Sequence, residues 1–217
     1  MPELQELFTA GAVPLTVLPT DVDEGRRGLL QLQITVRSVL GSLVLNSGGL
    51  VVDGDWVRVF AGRSGRGSDG LPSLAAINAF PEVYDPAWRL GGVFALNSYD
   101  PAASGRPGEA GQMTYFAPDT LEWETMAMGH SAWVSWLLSG RLETFYEGLR
   151  WQGWREEASA LSFSQGINVF PPLWSKEGRA DLAAASRRAV PMREVLGVAV
   201  DTARQLGTAD PGFLGQA

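Results

Sequence analysis

Residues 50–60, LVVDGDWVRVF, decide how this chain is read. Two runs of β-branched and aromatic residues flank Asp53-Gly54, a pair that accepts the positive φ angles of a tight primed turn, so the segment predicts a β-hairpin. Strand alternation then puts Trp56, Arg58 and Phe60 on one face and Val57 and Val59 on the other. Toward the C-terminus, residues 62–70 (GRSGRGSDG) form a loop, residues 92–97 a strand and residues 99–111 a Pro/Gly-rich insertion. A second hairpin is predicted around Pro118-Asp119, with strands over residues 112–116 and 121–125.

Helical spacing surrounds these strands. Asp21 followed by Glu24 is a capping-box pattern opening a helix that runs toward Leu32, and a shorter helix is expected near the N-terminus, from Pro2 to Gly11. Residues 38–46 (SVLGSLVLN) suit a buried helix or a buried strand; the following Gly48-Gly49 favours a helix stopped by glycine. Ser73 caps a short helix over residues 73–80. Beyond the second hairpin, Trp133, Trp136 and Leu137 recur at helical spacing, as do Leu142, Phe145, Tyr146 and Leu149, with Gly140 between the two helices. Trp151, Trp154 and Leu161 suggest a third helical piece. Residues 166–174 read as a strand ended by Pro171-Pro172, because proline cannot donate to a ladder. Pro191 opens a last helix striped by Met192, Val195, Leu196, Ala199, Ala203 and Leu206, and Gly207 closes it. Strands in the middle and helices on both sides predict an α+β domain over residues 1–207, with a mainly antiparallel central sheet flanked by helices and a flexible tail at 208–217.

Composition narrows the function. With 45% hydrophobic and 19% charged residues the chain is globular, and its eight Trp and nine Phe suffice for a core without staples. It has no cysteine, which removes disulfides and thiolate chemistry and fits a reducing compartment. The first twenty residues contain acids, no base and no unbroken apolar run, so no secretory signal is expected and the cytoplasm is the expected location. No apolar run is long enough to span a bilayer, so no membrane association is expected. A net charge of −7 argues against a nucleic-acid partner. The basic lean of Lys176, Arg179, Arg187, Arg188 and Arg193 reads as a solvated face.

Chemistry-bearing groups are sparse. The one histidine, His130, stands at a helix start beside Ser131, without a nucleophile elbow, and reads as a capping or packing residue. Asp53 and Asp55 suit their turn and make no calcium loop; no metal and no cofactor are expected. The glycines of residues 62–70 have no Gly-Lys-Ser/Thr after them and make a surface loop. Glu122 and Glu124 project from one face of their strand, where two carboxylates can flank a sugar; alternation alone also puts acids on the wet side, with Trp123 packed inward. Trp151 and Trp154 on one helix face make a binding surface or a piece of core.

Several strings are family-specific. GGLVVDGDWVRVFAG (48–62), LGGVFALN (90–97), TYFAPDTLEWE (114–124), GRLETFYEGLRWQGW (140–154) and FPPLWSKEG (170–178) resemble the bacterial domain-of-unknown-function family 2625, over nearly the whole chain. That family carries no assigned activity, so it transfers no catalytic residue. The order of a helix ending in Gly-Gly, a hairpin, GGVFALN, an acid-Trp strand and a helix ending in WLLSG is also similar to the SUKH superfamily, whose members include toxin-immunity proteins. That second likeness implies a non-enzymatic binder of a toxin-like or other protein partner, and an acidic chain suits a basic one. The leading expectation is therefore a protein-binding module of immunity type, with Glu122, Glu124, His130, Trp151 and Trp154 as its surface. The alternatives are a carbohydrate-active hydrolase using Glu122 and Glu124, with Asp119 as a further candidate, and a structural homo-oligomer in which the partner is a second copy.

Overall fold

A computed structural model describes residues 8–9, 11–64, 70–78, 94–97, 106–208, 210–212 and 214. The expected loop at 62–70 lies outside these for 65–69, as do most of the N-terminal helix and parts of the strand at 92–97 and of the insertion at 99–111. The chain is one α+β domain with antiparallel pairing throughout the described strands.

The first sheet starts with a strand that sequence periodicity did not single out. Strand β1 (Leu15–Leu18) pairs with β2 (Gly49–Val52), which pairs in turn with β3 (Val57–Phe60). Val52 faces Val57 in register, so the connection is the four residues 53–56 and the expected two-residue turn is corrected. Asp53, Gly54 and Asp55 all have positive φ, at 54°, 66° and 70°. Asp and Gly are the residues that tolerate this region, and the widened loop frees Trp56 from the ladder.

Two helices cover this sheet. Asp21 caps α1 (Val22–Leu32) by accepting the N–H groups of Asp23 and Glu24, while Glu24 turns to Arg27 at 2.9 Å and leaves the capping box half made. Ser38 caps α2 (Val39–Asn46) through the N–H of Gly41, so the ambiguous stretch is a helix. A β-carbon at Gly25 would stand 2.6 Å from the carbonyl oxygen of Leu45, so α1 crosses α2 at backbone distance. Gly48 and Gly49 do not stop α2 in a left-handed turn: a β-carbon on Gly48 would meet Pro19 O at 2.5 Å, and Gly49 (φ 134°) already belongs to β2. Ser73 caps the short α3 (Leu74–Ile77).

The second sheet runs β4 (Phe94–Leu96), β5 (Gln112–Ala117), β6 (Glu122–Gly129), with Tyr115 opposite Glu124 and a register shift between Gln112 and Thr114. From β6 the chain passes directly into α4 (His130–Leu138), then α5 (Leu142–Phe145) and a 3-10 turn at Glu147–Leu149. Gly140 (φ 84°) makes the bend expected between the two helices. Next, α6 (Trp154–Ser159) starts at Trp154, which leaves Trp151 just ahead of the helix. The third sheet is a pair, β7 (Gln165–Phe170) with β8 (Ser186–Pro191), and α7 (Lys176–Ala180) lies between them. Finally, α8 (Met192–Leu206) begins after Pro191 and ends at Gly207 with φ 72°.

Several features depart from expectation. The antiparallel strands divide among three sheets, where the sequence reading expected one central sheet. Of the five basic residues read as a solvated face, Lys176, Arg179, Arg188 and Arg193 are exposed as expected, while Arg187 of β8 ion-pairs with Glu157 at 3.2 Å and donates to the carbonyls of Leu182 and Ala185. The described part of the tail is docked: Leu214 is 3% exposed among Phe116, Leu121, Ala199 and Ala203, and Trp123 Nε1 donates to Pro211 O at 3.0 Å. Leu206, by contrast, leaves the predicted stripe and stands exposed.

The main core joins the first two sheets and the helices: Leu43, Val44, Leu50, Val52, Val134, Leu137 and Leu142 are at most 1% exposed. Trp56 links this core to the C-terminal part through edge-to-face contacts with Trp154 (4.9 Å), Tyr146 (5.6 Å) and Trp151 (5.8 Å). Beside it, Asp53 holds Arg150 at 2.5 Å, with both side chains under 10% exposed and the guanidinium 4.0 Å over the Trp154 ring. No helix among the described residues is long and apolar enough to cross a membrane.

Candidate ligand-binding cleft

Alternation along β3 builds the first wall of a cleft. Val57 and Val59 enter the core, so Trp56, Arg58 and Phe60 face the other way, toward the C-terminal hairpin. Arg58 fixes the distance between the two. Its guanidinium grips Asp55 through Nε (2.8 Å) and Nη2 (3.2 Å) and donates from Nη1 to the carbonyls of Phe163 (3.1 Å) and Gln165 (2.9 Å). A planar donor fork of this kind spans two elements with fixed geometry. Ile167 and Val169 of β7 supply the opposite wall, and Phe94 and Leu96 of β4 line the same space. The resulting cavity has a volume of about 360 Å³, within the usual range of small-ligand pockets.

Its lining is apolar with few polar groups, and most of those are satisfied. Asp55 and Arg58 are paired with each other, and Gln165 Oε1 accepts the N–H of Ser162. Tyr146 is hydrogen-bonded to Tyr115 behind the lining, and burial pushes both phenols above their ordinary range. Two lining groups differ. His130 Nδ1 and Trp133 Nε1 are buried and have no hydrogen-bond partner. They lie one helical turn apart at the start of α4, with ring centroids separated by 5.6 Å. Burial lowers the His130 pKa from 6.5 to about 4, so its imidazole is neutral at physiological pH. A buried polar atom without a partner costs free energy on the order of 1–3 kcal/mol.

The five residues singled out from the sequence are not brought together. Glu122 and Glu124 are exposed on β6, and Trp123 between them turns inward against Phe116 at 5.4 Å, as alternation alone predicts. Neither glutamate lines the cleft. Trp151 and Trp154 are buried (7% and 8% exposed) and make no exposed face; with Trp56 they are core. A separate groove of about 460 Å³ is lined by both tryptophans together with Glu143, Glu147, Arg150 and Arg155, and both arginines already point to Asp53. Of the five, His130 and Trp151 line the cleft. Trp133 also lines the cleft: its spacing marked it correctly as core, and spacing carries no information on whether an indole N–H finds an acceptor.

The model of the family described as "Protein of unknown function DUF2625" matches residues 1–195. The chain is 39% identical over 175 residues to the uncharacterised protein YbfG of Escherichia coli K12, covering 75% of this chain and 76% of that one. It is 26% identical over 163 residues to an uncharacterised protein of Haemophilus influenzae, covering 72% of this chain and 69% of the relative. No solved structure gives a significant match.

Proposed function

The chain belongs to the DUF2625 family, and because that description assigns no activity we propose from geometry that it is a protein-binding module of the immunity type, working in the cytoplasm. The carrying observation is the cleft of about 360 Å³ between β3, β4 and β7. Its walls are held apart by Arg58, so the opening is preformed, and a preformed apolar pocket reduces the ordering cost that a partner's side chain must overcome. The occupant is an aromatic or aliphatic anchor on a protein partner; such anchors carry most of the energy of an interface. The net charge of −7 favours a basic partner, whose approach is accelerated by the complementary field. The order of elements that resembles the SUKH superfamily supports the same reading. The hydrolase reading has less support, since Glu122 and Glu124 stand exposed on β6, outside the cleft.

The test is a photo-crosslinking residue at Leu161, which lines the cleft, followed by titration of the captured protein. Leu161→Lys should weaken binding by about 30-fold or more, the effect of losing a 2 kcal/mol contact, whereas Leu30→Lys on the exposed side of α1 should leave it within about twofold. Equal affinity for wild type and Leu161→Lys removes the cleft as the binding site. Self-association of the chain through Leu161 would support the homo-oligomer instead.

A further inference from the structure

The groove of about 460 Å³ lined by Trp151 and Trp154 holds opposite charges that do not meet. It shares only Trp151 with the cleft, so the two sites stand or fall separately. Glu143 on α5 and Glu147 on the following 3-10 turn are exposed, at a spacing that brings side chains to one helical side. Among the described residues no side chain pairs with either carboxylate. Arg150 and Arg155 line the same groove, and each gives its Nη2 to Asp53. One carboxylate balances one guanidinium, so a positive charge is left over beside the two negative ones.

Arg150 is held rigidly. Its side chain is 8% exposed, its guanidinium lies 4.0 Å from the centre of the Trp154 ring, and its Nε is buried without a partner. Its Nη1 donates to no described residue either but retains solvent contact, and the groove is where Arg150 reaches the surface. A fixed guanidinium with an open donor is preorganised for a carboxylate. Arg155, 58% exposed and 4.4 Å from the same ring, adds its remaining donors. An anion alone would also meet the two glutamates, and a cation alone the two arginines. A molecule carrying both charges on an aliphatic stem satisfies each, with the stem against Trp151 and Trp154. We propose that the groove binds a lysine-type zwitterion: its carboxylate is received by Arg150 and Arg155 and its ammonium by Glu143 and Glu147, and it is presented by a free ω-amino acid or by the C-terminal lysine of a protein.

ε-Aminocaproate carries that pattern, whereas hexanoate lacks the ammonium and hexylamine the carboxylate. Each is titrated into the full chain at low salt while the Trp151 and Trp154 indole N–H resonances are followed by nitrogen-15 NMR. ε-Aminocaproate should bind about tenfold more tightly than either single-charge probe, the effect of one further charge-assisted contact. Glu143→Gln combined with Glu147→Gln, at exposed positions, should reduce ε-aminocaproate to the affinity of hexanoate and leave hexanoate itself within about twofold. Arg155→Gln, which leaves Asp53 paired with Arg150, should weaken both carboxylates and spare hexylamine. Equal affinity for the three probes, a preference for ε-aminocaproate that survives both variants, or no movement of either indole signal overturns the assignment. A peptide ending in lysine and its C-terminal amide separate the two sources of the ligand. Selective binding of the free-acid peptide assigns the groove to a protein C-terminus, and binding of ε-aminocaproate without the peptide assigns it to a small molecule.

Discussion

His130 is the chain's one histidine, and its burial makes a clean pH prediction. Its pKa in the folded chain is about 4 against an ordinary 6.5, so as pH falls the unfolded chain takes up the proton first. Stability is therefore full above about pH 6.5 and declines toward pH 4, by at most about 3 kcal/mol from this group. Guanidinium unfolding at several pH values should show the slope, and His130→Gln should flatten it; an unchanged slope would mean that the imidazole is not desolvated. Asp53 gives a second test. It compensates Arg150 inside an aromatic box, so Asp53→Ala strands a buried cation and should cost about 3–5 kcal/mol. Adding Arg150→Met should recover much of that loss. From sequence, Asp53 was legible as a turn residue only; its ion pair spans 97 positions, a separation that local patterns do not encode.

At the level of elements, caps and turns were the most legible features, because their physics is local. Asp21, Ser38, Ser73 and Gly207 all act where their side-chain oxygens or positive φ predict. Contacts between elements were not legible. Gly25, inside α1, is a place where α2 approaches at backbone distance. Gly25→Ala should therefore destabilise, by about 1–3 kcal/mol, since the clash is with backbone that cannot rotate away. Gly197, inside α8 with open space around it, should respond oppositely: Gly197→Ala should gain about 0.5–1 kcal/mol from helix propensity. Urea midpoints of the two variants should move in opposite directions. Strand β8 escaped notice because Ser186-Arg187-Arg188 reads as solvated, and Ser186 and Arg188 are indeed exposed, while Arg187 turns its head to Glu157 and covers apolar surface with its stem.

For the whole molecule, the docked tail is the departure with the clearest consequence. Leu214 completes a small core formed by β5, α8 and the turn after β5, so Leu214→Ala should lower stability by about 2–4 kcal/mol in a two-state melt. A frayed tail would show no change. The candidate site follows the same division. Sequence by itself determined an α+β domain with antiparallel hairpins, its helix ends, its family and the alternation that turns Val57 and Val59 inward and exposes Glu122 and Glu124, because each of these follows from side-chain chemistry and spacing within a few residues. Only the tertiary structure decided that the described strands form three sheets, that Trp151 and Trp154 are core, and that His130 Nδ1 and Trp133 Nε1 are buried without a hydrogen-bond partner in residues that line an apolar cleft. Burial and hydrogen-bond satisfaction depend on groups far apart in the chain, and they take a value only once those groups have packed.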